Sequence, residues 1–196
     1  YLRLLEVNEV FHEDNEAIPN VIGDTSDWRY TVLAEGEQAP ANWVEAEFDD
    51  AAWPSGRGPI GFGEPDVVTE IRRGDNDKRQ PVSVCLRHRF HVRDMRNTDS
   101  GDGNGKPLLI RLRCDDGALV LLNGKELLRV NLADGLLDAT SRALRPIALT
   151  EEQATRAYLV PSDALLPGEN LLAARVFQHT VSSSDLFFSM TLQTDA

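Results

Sequence analysis

The chain has 196 residues, 41% hydrophobic and 27% charged, with 20 Lys plus Arg against 32 Asp plus Glu and a formal net charge of −12. With 14 Gly, 10 Pro and 2 Cys it is neither collagen, a disordered tail nor a disulfide knot, and it is long enough for one sizeable core. The negative charge, without any basic run, repels phosphate backbones and anionic headgroups, so the expected partners include neither nucleic acid nor a membrane surface.

In chain order, position 1 is Tyr and no signal-peptide pattern follows, so the sequence is read as a piece of a longer protein. Residues 1–27 carry an apolar patch at Leu2, Leu4, Leu5, Val7 and Val10 that suits an edge strand or a short helix; they are treated as an N-terminal extension of one domain spanning 1–196. Trp28 to Leu33 reads as a strand with Trp28 in the core, whereas Trp43 and Trp53 fall in turn-rich sequence where a ring either packs or faces solvent. Val84 to Val92 alternates with period 2, apolar residues at the even positions and Arg87 and Arg89 at the odd ones, which predicts a half-buried strand. His88 shares the parity of Leu86 and Phe90 and is expected as a hydrogen-bonded core histidine. His91, three residues on, points to the opposite face, so the two do not bind one metal.

Asp99 to Gly105, Asp-Ser-Gly-Asp-Gly-Asn-Gly, reads as a long loop without a full EF-hand pattern. Leu108 to Cys114 repeats the strand alternation. Asn123-Gly124 between Leu119-Val120-Leu121-Leu122 and Glu126-Leu127-Leu128-Arg129-Val130 predicts a hairpin, since a type I′ turn needs positive φ at both positions. Thr150-Glu151-Glu152-Gln153 has the form of a capping box and predicts a short helical turn continuing over Ala154 to Ala157. Pro167-Gly168-Glu169 is a turn leading into a strand from Asn170 to Phe177, and Leu186 to Leu192 closes the series. Many strands with almost no helix predict an all-β fold, an antiparallel sandwich or barrel.

Cys85 and Cys114 sit in apolar runs without C-x-x-C spacing and are expected as buried thiols, with a disulfide in an oxidising compartment as the alternative. His179, Ser183 and Asp185 hold the letters of a hydrolase triad but crowd into seven residues, without a nucleophile elbow, so a polar turn is expected there. Asp49-Asp50 and Asp115-Asp116 are expected to cap backbone groups. Calcium ligation is the alternative for these four carboxylates, since that ion takes six to eight oxygens.

Three stretches resemble the galactose-binding-like jelly rolls that serve as accessory modules of secreted bacterial enzymes and surface proteins. They are Phe48-Asp49-Asp50-Ala51-Ala52-Trp53 with Gly58-Pro59-Ile60-Gly61-Phe62-Gly63; Asp115-Asp116-Gly117-Ala118 leading to Asn123-Gly124-Lys125-Glu126; and Gly168-Glu169-Asn170-Leu171-Leu172-Ala173 continuing to Gln178-His179 and Ser183-Ser184-Asp185-Leu186. The resemblance covers roughly residues 28 to 192. It implies a jelly-roll β-sandwich that is non-catalytic, binds carbohydrate in many relatives, needs no cofactor beyond an occasional structural calcium, and works at the cell surface or outside a bacterial cell. A sugar hydroxyl both donates and accepts, so the expected ligand face sets Asp185 beside Arg129, Gln178 and His179, with Trp53 as a further candidate. The competing expectation is a structural or protein-interaction module supporting a neighbouring catalytic domain. A hydrolase in its own right comes third, because no nucleophile, metal or cofactor motif is present.

Overall fold

The computed structural model describes residues 20–72, 81–92, 108–148, 151, 153–160 and 164–194. The Asp99 to Gly105 loop, the whole N-terminal apolar patch, and Thr150 and Glu152 of the capping box lie outside the described residues.

Two sheets face each other. In the first, β10 (Arg156–Val160), β7 (Leu108–Asp115), β12 (Leu186–Thr194), β4 (Ile60–Phe62) and β5 (Thr69–Glu70) follow in that order, and β1 (Asn20–Ile22) also pairs with β12. The second is built from β3 (Ser55–Arg57), β2 (Asp27–Ala34), β6 (Pro81–Val92), β11 (Gly168–Phe177), β8 (Gly117–Leu122) and β9 (Lys125–Val130), again in spatial order. Every pairing is antiparallel except β4 with β5. From β6 to β12 the chain changes sheet at each step except the β8–β9 hairpin, the habit of a jelly-roll sandwich.

The period-2 pattern builds the interior as the sequence predicts. Val84, Leu86, Phe90 and Val92 of β6 meet Leu108, Ile110, Leu112 and Cys114 of β7 and Leu186, Phe188, Met190 and Leu192 of β12 in one apolar cluster. Trp28 is buried there, edge-on to Phe188 with ring centroids 5.2 Å apart. His88 borders this core, its Nδ1 2.7 Å from the Asp27 carbonyl and its ring against Trp28 and Phe90. In the glycine-rich loop, Gly61 has a steric reason: a Cβ there would lie 1.9 Å from the Leu186 carbonyl oxygen on β12. Asn123 and Gly124 take φ values of 52° and 76° at the β8–β9 turn, as the hairpin requires.

Two expectations need correction. β6 is not half-buried over its first part, because residues 81–87 are buried on both faces. The helical turn does not extend over Ala154 to Ala157: two i→i+3 bonds, Glu151 N–H to Ala148 O and Ala154 N–H to Glu151 O, give way directly to β10, where Tyr158 and Val160 turn into the core. Within the N-terminal extension, residues 20–22 form a strand, fixed by pairing with Leu192 and Gln193.

Cys85 and Cys114 are both free thiols and both buried. Desolvation pushes each thiol up to about 12, so neither carries appreciable thiolate near neutral pH.

Candidate functional site

The burial of Arg87 explains the two-sided β6. Residues 35–54, between β2 and β3, fold over the outer face of the second sheet, where Trp43, Phe48 and Trp53 pack with Leu33, Cys85, Leu121 and Ala173. Arg87 rises into this flap with no side-chain exposure. Its Nε donates to Asp50 Oδ2 at 2.6 Å, its Nη1 to the carbonyls of Trp43 and of Glu45 (3.1 Å), and its Nη2 to Phe48 O at 3.3 Å. Arg89 adds bonds to Ala46 O and Phe48 O from the rim. A guanidinium suits this task because its donors form a rigid planar fork, able to serve several carbonyls and a carboxylate at once. The sequence held a signal for it: two arginines on one strand face, and two tryptophans and a phenylalanine with no place in the alternation.

Asp50 is therefore spent on Arg87, and Asp49 accepts the Ala51 N–H at 3.0 Å in a turn. Trp53 is half-buried, its ring edge-on to Phe48 at 5.4 Å.

A second polar cluster occupies one end of the sandwich. Asp116, in the single-residue gap between β7 and β8, accepts the Ile147 N–H on Oδ1 (2.9 Å) and the His179 N–H on Oδ2 (2.7 Å). Its carbonyl accepts from Asn131 Nδ2 at 3.0 Å, and Asn131 also donates to Arg145 O. His179 holds the Ala143 carbonyl through Nδ1 at 2.8 Å, which requires the proton on that nitrogen. Gln178 is buried, and its Nε2 donates to the backbone oxygen of Asp185 at 3.3 Å. Gln178 thus reaches Asp185 only through its backbone, and the backbone of His179 is held by Asp116, a residue that the sequence reading set apart. Ser183 has no hydrogen bond to His179 among those described, so the triad letters do not assemble into a nucleophile and base.

Arg129 stands on the edge strand β9, across from Leu119. It binds both carboxylate oxygens of Glu126 (2.9 and 2.7 Å) and the carbonyls of Ala133 (2.6 Å) and Gly135 (3.2 Å). Hydrogen bonding to Arg129 holds the Glu126 carboxyl below its usual range. None of its described bonds reaches Gln178, His179 or Asp185.

Of the four candidate carboxylates, Asp116 accepts backbone N–H groups through both oxygens, and Asp50 is paired with Arg87. Asp115, also buried, borders Asp116 at the end of β7. Among the described residues, no group of three or more His, Cys, Asp or Glu side chains is placed to hold a metal ion.

No protein-family profile and no curated protein matches the chain. Solved structures do. A glycosyl hydrolase family 2 member from Bacteroides cellulosilyticus DSM 14838 superposes with a TM-score of 0.53 at 13% identity, over 86% of this chain and 20% of that one. A calcium-binding mutant of Bacteroides uniformis beta-glucuronidase 2 gives 0.53 at 14%, over 90% and 18%. An uncultured Clostridium sp. beta-glucuronidase gives 0.52 at 15%, over 97% and 31%. What is shared is the fold. The chain spans less than a third of any of these three glycosidases.

Proposed function

We propose that the chain is a non-catalytic β-sandwich module of a longer glycoside-hydrolase-like protein, where its work is to support a neighbouring domain. The observation that carries this reading is where its polar side chains are spent. Arg87, Asp116, His179, Asn131 and Arg129 all bond to backbone groups of this chain's own loops, so they shape a rigid surface rather than a cleft. The size of the matched glycosidases, and the share of this chain that superposes on them, support the same reading. Carbohydrate binding is a second reading, favoured by the half-exposed Trp53, whose ring can stack on pyranose C–H groups.

The test is a glycan array and a panel of chromogenic glycosides applied to the 196-residue chain, with Trp53→Ala and His179→Ala beside it. The support reading expects neither turnover nor retained glycan. Retention lost in Trp53→Ala establishes the carbohydrate reading in its place, and turnover lost in His179→Ala overturns the non-catalytic assignment.

A further inference from the structure

The tip of the β8–β9 hairpin is tied to β11 by a side chain that only an amide can replace. The backbone N–H of Asn123 donates to Leu171 O at 2.9 Å, and Asn123 Oδ1 accepts the Leu171 N–H at 2.9 Å, extending the β8–β11 ladder by one residue. Asn123 Nδ2 then donates to Asn170 Oδ1 at 2.9 Å. Asn170 is buried, and its orientation is fixed independently of Asn123. Its Oδ1 must also accept the Leu166 N–H (2.8 Å), while its Nδ2 donates to Leu166 O (2.7 Å) and Gly168 O (3.1 Å). Turning the Asn170 amide over breaks all three bonds. Position 123 must therefore present one acceptor to Leu171 and one donor to Asn170.

Asn123 precedes Gly124, and an Asn-Gly peptide is the sequence in which a backbone nitrogen attacks the side-chain amide most readily, because glycine places no Cβ in the way. Gly124 N bonds to Asn123 Cγ, ammonia leaves, and the resulting succinimide is opened by water at either carbonyl to give an aspartate or isoaspartate. In the folded chain both heteroatoms on that Cγ are held away, towards β11. The acid that forms is deprotonated at neutral pH, keeps no donor, and faces the oxygen of Asn170 across a partly buried contact.

We propose that Asn123 is a deamidation site gated by the fold: closed while the hairpin tip lies on β11, open when the tip separates, and leaving behind an acid that weakens the same contact. Modification at this position is then a one-way record that the hairpin tip has separated from β11, independent of what the module does for its neighbours.

The experiment incubates the full chain at mildly alkaline pH, native and in urea, and follows amide-to-acid conversion by peptide mass mapping. Asn104-Gly105, the other Asn-Gly in the sequence, is the internal reference in urea, where both sites should react alike. Native Asn123 should convert about tenfold or more slowly than the same site in urea, since opening of a paired strand end must come first. Equal native and denatured rates overturn the gate. Asn123→Asp should melt several degrees lower than the parent, with the gap narrowing as pH falls through the carboxyl range, where the protonated acid regains a donor. A variant that melts with the parent at neutral pH overturns the second half. Asn170→Ala should speed native conversion if it folds; if it does not, the parent's native-to-urea ratio decides alone.

Discussion

Leu86 and Arg87 are neighbours on β6 and face opposite sides of it, into two differently built interiors. Leu86 enters an apolar cluster between the sheets, held by area removed from water and by close packing. Arg87 enters the flap of residues 35–54, whose tryptophans would bury surface in several poses but whose backbone is fixed by bonds from one guanidinium to three carbonyls and a carboxylate. A non-directional force suffices for a two-layer core, because the sheets already fix the geometry. A segment with no regular secondary structure needs directional bonds, and the interior must then accept a charge that is hydrogen-bonded on all sides.

Breaking the second interior should cost the most. Arg87→Ala leaves the Trp43 and Glu45 carbonyls without this donor and the Asp50 carboxylate and Phe48 carbonyl with only Arg89 at the rim, with an expected loss of about 3–5 kcal/mol in urea unfolding. New protease cleavage within residues 35–53 under native conditions should accompany it. Arg87→Lys should rescue little, since one ammonium cannot reproduce the fork. Leu86→Ala should cost about 2–5 kcal/mol through lost transfer energy and a cavity, while the flap stays protease-resistant up to global unfolding. If both variants expose the flap equally, the two interiors form a single cooperative unit and the distinction fails.

The two thiols report on the two regions separately. Cys85 lies under the flap and Cys114 between the sheets, and with both pushed up to about 12 neither should react with a thiol reagent at pH 8 in the parent. In Arg87→Ala, Cys85 should label first, with Cys114 still silent; simultaneous labelling would again join the regions. The smallest effect belongs to His88. Burial pushes its imidazole below the ordinary value of 6.5, despite the Asp27 carbonyl that pulls it upward. The unfolded chain therefore takes up this proton first as pH falls. The contribution is full above 6.5 and is lost as pH drops through the folded value, a slope that His88→Gln should remove.

The sequence made most of this interior legible and little of the flap. Alternation located β6, β7 and β12, and Asn123-Gly124 located the hairpin, because each signal acts within a few residues. Arg87 and Trp43 meet across more than forty positions, through carbonyl oxygens that every residue type possesses, so no pattern of side-chain types announces the bond. The short strands β3 and β4 escaped for a related reason: they are held by partners distant in sequence rather than by their own alternation, and β5, with 2 residues, is too short to show any. Of the candidate ligand face, Gln178 and the Asp185 backbone meet across seven residues, a local contact, whereas a meeting with Arg129 on β9 is long-range and periodicity does not report it.

The position of β12 has a consequence for how the chain acquires its shape. It is an interior strand of its sheet, with β7 on one side and both β4 and β1 on the other. Asn20 of β1 pairs with Gln193, a sequence separation of 193 − 20 = 173 residues. Until β12 has been synthesised, β10–β7 and β4–β5 are two fragments without a common strand, so half the sandwich has no seam. Local hairpins such as β8–β9 can close early, but the sheet that caps the core must wait until Leu186–Thr194 has left the ribosome. With contacts this distant, its topology belongs among the slower-folding β proteins.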